Sequence, residues 1–260
     1  FPVIAKAVAS FLGEGSYATM DYSLKLIQFP LVIAVTFIAT VFLPRLSSAY
    51  QSDRELFSKL FKYGTQATIA ISCIAAVSLY YVSEQYSAIV YQHGQMEESG
   101  VQVIGSITSI GLLSLPFQGL VGFLTVTCFA QKNTKTPLIL NGVGLIVFIF
   151  LSVLGLFGEG LNPLMWALVA SYGCIFLFYA LLFKSKETNA IGAVLQLQLL
   201  IPLVVAIAFL WGTGELISGQ DFSPIVAVSL SFLSGALALL FVVAAHHEFR
   251  NKVLNWFRSR

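Results

Sequence analysis

The stretch LMWALVASYGCIFLFYALLF, Leu164–Phe183, runs for 20 residues without a charge. At about 1.5 Å of rise per residue, a helix of that length covers about 30 Å, the thickness of one hydrocarbon core. Lipid offers no partner to backbone N–H and C=O groups, so such a segment closes its hydrogen bonds on itself as a helix. The period-two alternation of a membrane barrel strand is absent. Comparable apolar windows recur at 17–46, 58–92, 101–131, 137–157, 163–183, 190–211 and 224–246. The chain is 57% apolar and 10% charged, against about 25% charged in soluble domains. Too little polar surface remains for a water-soluble domain of useful size. The expected fold is an all-α polytopic membrane protein with seven complete transmembrane helices. The opening PVIAKAVASFL is too short to span and is read as the end of a truncated first helix. The chain is accordingly expected to be a fragment.

The polar connections carry a second signal. Alternate loops hold Arg45, Arg54, Lys59, Lys62, Lys132, Lys135, Lys184, Lys186 and the basic tail Arg250, Lys252, Arg258, Arg260. The loops between them hold Glu14, Glu97, Glu98, Glu159, Glu215 and Asp221, with no Lys or Arg. Excess Lys and Arg in short loops marks the cytoplasmic side, which places the C-terminus there. The tail FRNKVLNWFRSR, within 247–260, mixes aromatic and basic residues as an interfacial amphipathic helix does. Residues 50–62, with Asp53, Glu55, Lys59 and Lys62, read as a cytoplasmic connector helix. Cys73, Cys128 and Cys174 each lie in an apolar run and read as buried thiols.

Lys6 and Lys25 break the loop pattern by lying inside apolar segments. An ionised side chain in the membrane costs at least ~2.5–3.5 kcal/mol on insertion scales, so it faces a partner or a cavity. On a helix, Tyr17, Asp21, Lys25 and Gln28 share one face. The short GEGS turn (13–16) makes the preceding helix an antiparallel neighbour, with Lys6 at a depth similar to that of Lys25. One reading is a local Asp21–Lys25 pair that helps two helices pack. The other is a cavity wall whose two amines bind an anion such as a phosphate, with Lys6, Asp21, Lys25 and Gln28 as the binding set. Pro30 and Pro116 fall mid-window as kink candidates, and Gly119 and Gly122 would let helices approach closely. No Ser/His/Asp set, phosphate loop or metal-ligand spacing is present. His93 with Glu97 and Glu98, and His246-His247-Glu248, fall on opposite sides of the membrane. Neither an enzyme, nor a cofactor or metal site, nor a nucleic-acid partner is expected.

Residues 9–50, ASFLGEGSYATMDYSLKLIQFPLVIAVTFIATVFLPRLSSAY, resemble the seventh-to-eighth helix region of the MurJ-type lipid II flippases, in the multidrug/oligosaccharidyl-lipid/polysaccharide exporter superfamily. The resemblance rests on Ala9-Ser10-Phe11-Leu12, Gly15-Ser16, Tyr22-Ser23-Leu24-Lys25-Leu26, Pro30 and Leu43-Pro44-Arg45-Leu46-Ser47. IVYQHGQM and CFAQKNTKTP (128–137) add a second block, so the likeness covers most of residues 1–140. It implies the C-terminal half of a fourteen-helix protein that moves the undecaprenyl-pyrophosphate-linked peptidoglycan precursor across the bacterial inner membrane by alternating access.

Under that resemblance, 1–184 would be the C-terminal lobe and 185–246 two added helices, with Pro202 and Pro224, forming a groove for the lipid tail. An N-terminal lobe with further cavity arginines would complete the transporter. Lys25 and Lys6 stand where the family carries Arg, which keeps the charge and loses bidentate phosphate geometry. Leu24 stands where some members have Asp, and Asn133 where Asp is common. The alternatives are export of another lipid-linked polysaccharide repeat, drug or cation antiport, and a non-transporting half-protein that needs a separate N-terminal lobe.

Overall fold

The computed structural model describes residues 1–92, 96–155, 160–183, 189–220 and 222–245, apart from the side chains of 34–38 and 197. Among them the chain forms α1 (Pro2–Ala9), α2 (Ser16–Ser52), α3 (Arg54–Tyr80), α4 (Ser83–Tyr91), α5 (Glu98–Leu112), α6 (Leu115–Ala130), α7 (Lys135–Gly155), α8 (Asn162–Leu182), α9 (Ala190–Val194), α10 (Leu197–Ser218) and α11 (Pro224–Ala245). Five of these, α3, α7, α8, α10 and α11, are long and apolar enough to cross a membrane; α5 and α6 make a sixth as one bent span. With the 37-residue α2, every apolar window of the sequence has its helix.

Several boundaries differ from the sequence reading, each for a local reason. The window 58–92 is not one helix: α3 ends at Tyr80 and α4 begins at Ser83. Near that break the Ser231 hydroxyl donates to the Ser78 carbonyl, so a backbone acceptor is satisfied from α11. The window 101–131 is bent by 49° between α5 and α6. Pro116 therefore sits in the first turn of α6 rather than mid-helix, where a missing N–H is no loss. The Ser114 hydroxyl takes the Gly111 carbonyl at the bend (2.5 Å), and Gln118 Nε2 donates to Ser114 Oγ (2.5 Å).

The span expected at 190–211 runs instead from Leu197 to Ser218, behind the short α9. Asn189 caps α9 by accepting from the Gly192 N–H at 2.8 Å, and Gln66 Nε2 donates to Gln196 Oε1 at 2.8 Å. Residues 50–62 are no separate connector. They are the end of α2 and the start of α3, joined at Asp53, whose side chain accepts from the Leu56 N–H at 2.9 Å. Glu55 and Lys59 pair one turn apart there. The 246–260 tail, including the His246-His247-Glu248 run, lies outside the described residues, as do His93, Glu159, Lys184, Lys186 and Asp221.

α3 is the central post of the bundle. Its first turns pack Phe57 and Phe61 with Leu46 of α2, Phe123 of α6 and Tyr179 of α8. Its middle packs Ile69, Ala70 and Ile74 against Leu203 and Leu210 of α10 and Ala238 of α11. Its end joins a cluster with Ile27 of α2, Ile104 of α5 and Met165 of α8. The α10–α11 hairpin thus leans on α3, away from the α1–α2 pair. Gly119 faces α3 closely: an added Cβ would lie 3.2 Å from Ser72 Cβ.

Candidate functional site

The α1–α2 pair is made by a tight turn. Gly13 (φ 128°) and Gly15 (φ 80°) take positive-φ conformations that glycine alone adopts cheaply, and α2 leaves antiparallel to α1. Phe1 stacks on Tyr172 (ring centroids 4.9 Å apart) and packs on Phe148 (5.4 Å), so the start of α1 is held to α8 and α7. This brings Lys6, in the last turn of α1, level with the second turn of α2.

Both amines meet one carboxylate. Lys6 Nζ lies 3.1 Å from Asp21 Oδ1, and Lys25 Nζ lies 2.7 Å from Asp21 Oδ2. A single carboxylate serves both, because each oxygen takes one amine. The three charges still sum to +1. Lys6 and Asp21 are 24% and 22% exposed and Lys25 is 60% exposed, so the cluster is half-sheltered on one side and open on the other. Lys6 Nζ also sits 5.9 Å from the Tyr17 ring centroid and Lys25 Nζ 5.7 Å from that of Tyr22, distances at which the ring face attracts a cation. Gln28 continues the exposed stripe one turn on.

Pro30 lies two residues beyond Gln28, and α2 continues through it. A proline there leaves the Leu26 carbonyl without its usual i+4 donor. The Tyr86 hydroxyl of α4 supplies one at 3.3 Å. Tyr91, one turn and a residue further along α4, donates to the Tyr22 carbonyl at 3.3 Å, and its ring lies 4.7 Å from that of Tyr22. Tyr86 and Tyr91 escaped sequence reasoning: they sit in a different apolar window, and a five-residue spacing turns them about 140° apart on an ideal helix, so no shared face marked them. Pro116 is not part of the cluster. Its bend touches the buried face of α2, where Ile27 packs on Gly111 beside Met165. Among the described residues no group of three His, Cys, Asp or Glu is placed to hold a metal.

Fold and cluster together define the class: a polytopic α-helical membrane protein that keeps a net-cationic, ion-paired stripe on an open helix face within an apolar bundle. The family model described as "Lipid II flippase MurJ" matches residues 2–233, and the chain belongs to that family. It is 27% identical over 243 residues to the probable lipid II flippase MurJ of Bdellovibrio bacteriovorus, covering 92% of this chain and 45% of that protein. It is 25% identical over 142 residues to the lipid II flippase MurJ of Burkholderia cenocepacia, covering 52% of this chain and 26% of that one. A solved structure titled as the lipid II flippase MurJ in an inward closed conformation superposes with a TM-score of 0.76 at 19% identity, over 97% of this chain and 51% of that chain. The chain spans between about a quarter and a half of the length of these relatives.

Proposed function

We propose that this chain serves, with an N-terminal lobe, in flipping lipid II across the bacterial inner membrane by alternating access. It is a transporter component and not an enzyme. Residues 1–184 act as the C-terminal lobe, 185–246 as two added helices, and 247–260 as a cytoplasmic surface anchor. The charge asymmetry of the loops supports a cytoplasmic C-terminus. The family match supports the cargo, and the convergence of Lys6 and Lys25 on an open face is the observation that carries the site.

In this reading Lys25 and Lys6 hold the diphosphate as point charges, Asp21 orients their amines, and Gln28 adds a hydrogen-bonding group along the same stripe. Pro30 and the α5–α6 break just before Pro116 are the places where the helices flex as the lobes rock. A cleft of about 300 Å³ between α10 and α11, lined by Gln198, Ile201, Pro202, Val205, Phe241 and Ala245, supports the tail groove, because its walls are mostly apolar.

The test is complementation. Cells depleted of their own flippase should fail to grow on the Lys25→Ala protein although it inserts normally. Normal growth with Lys25→Ala would reject the role given to that residue.

A further inference from the structure

Asp21 is the shared partner of both amines, one oxygen to each. An ammonium has three donors, and Asp21 engages one on each lysine. The open side of the cluster is the Lys25 side, 60% exposed. An anion arriving there therefore meets two cations already neutralised in part by a fixed carboxylate.

We propose that Asp21 is a resident counter-ion that the substrate's diphosphate displaces, so that binding here is an exchange of one anion for another. The inference rests on the reading of Lys6 and Lys25 as the diphosphate-binding pair. A diphosphate carries more charge and more acceptor oxygens than a carboxylate, so it can take over both amines at once. Asp21 sits one turn from Lys25 on the same helix and cannot leave the neighbourhood. Displaced, it repels the bound diphosphate and, on release, re-forms the link between α1 and α2. It holds affinity below what two free lysines would give, as a carrier that must let its cargo go requires, and it keeps two like charges from facing each other when the site is empty.

Inorganic pyrophosphate titrated calorimetrically into the purified protein tests this. Asp21→Asn should bind about ten-fold more tightly than the unaltered protein, because one nearby like charge is removed. Its affinity should also fall more steeply with added salt. Asp21→Glu should restore the original behaviour, and Lys25→Met should bind weakly. Lys6→Met and Lys6→Met/Asp21→Asn give the same comparison without opposed amines: the double variant should bind more tightly than the single one, and this arm serves if Asp21→Asn alone fails to fold. Without pyrophosphate, Asp21→Asn should melt lower than the unaltered protein, and added pyrophosphate should raise its melting temperature more. Equal or weaker binding in both Asp21→Asn backgrounds, with Lys25→Met still impaired, would overturn the counter-ion role and leave the binding pair standing. Pyrophosphate binding by none of the proteins would overturn the binding pair and the exchange with it.

Discussion

Leu26 illustrates how a single backbone group links sequence to packing. Pro30 deprives its carbonyl of the helical donor, and a lone acceptor in an apolar bundle costs about 1–3 kcal/mol. Tyr86 reaches across from α4 to fill the vacancy at 3.3 Å and is itself buried. Tyr86→Phe should therefore lower stability by about 1–2 kcal/mol, read as a lower melting temperature in detergent. With Pro30→Ala, the residue-30 N–H returns and takes the carbonyl itself, so the Tyr86→Phe loss should shrink. A double-mutant cycle should give a coupling of about 1 kcal/mol, and strict additivity would show that the phenol does not serve this carbonyl. At the charged cluster, Lys25→Arg should support growth where Lys25→Ala does not, since a point charge is what the site uses.

Helix approach is decided by glycine at the level of elements. Ile27, between the charged stripe and Pro30, fits into the space left by the missing side chain of Gly111, with Met165 of α8 beside it. An Ala there would collide with Ile27, and overpacking of this kind costs about 1–3 kcal/mol. Gly142 on α7 has nothing within 4 Å of an added Cβ, so Gly142→Ala should gain helix propensity instead, by up to about 1 kcal/mol. Melting of the two variants side by side, Gly111→Ala down and Gly142→Ala level or up, checks the contact. Pro116→Ala should be close to neutral in the same assay, because first-turn proline gives up no hydrogen bond. The α5–α6 bend is held instead by Ser114 and Gln118. Proline marked that place in the sequence, but the hydroxyl and the amide hold the geometry, and neither carries a distinctive pattern.

For the molecule as a whole, the loop charges make a topological claim that labelling can check. In a protein whose Cys73, Cys128 and Cys174 have been replaced, a cysteine at Glu14 should react with a membrane-impermeant maleimide in intact cells. One at Lys132 should react only after permeabilisation, and the opposite pattern would invert the assignment. That the chain is a bundle of apolar helices, and roughly where they lie, was legible because lipid admits so few backbone solutions: a charge-free stretch of sufficient length becomes a helix whatever surrounds it. Lys6, Asp21 and Lys25 were likewise legible as a group, since ionisable residues stand out in apolar windows. Three things were not: that Asp21 serves both amines, that Tyr86 completes the turn at Pro30, and that windows 58–92 and 101–131 are broken. The first two and the break in 58–92 depend on contacts between helices, as with Tyr86 and Leu26 or Ser231 and Ser78; the 101–131 bend rests on the local bonds of Ser114 and Gln118, which carry no distinctive pattern. Hydropathy and local spacing determine which segments enter the membrane, because that choice is a transaction between each segment and lipid. Which carbonyl finds which hydroxyl, and which carboxylate stands between two amines, was decided only when the helices packed, because those partners come from different helices.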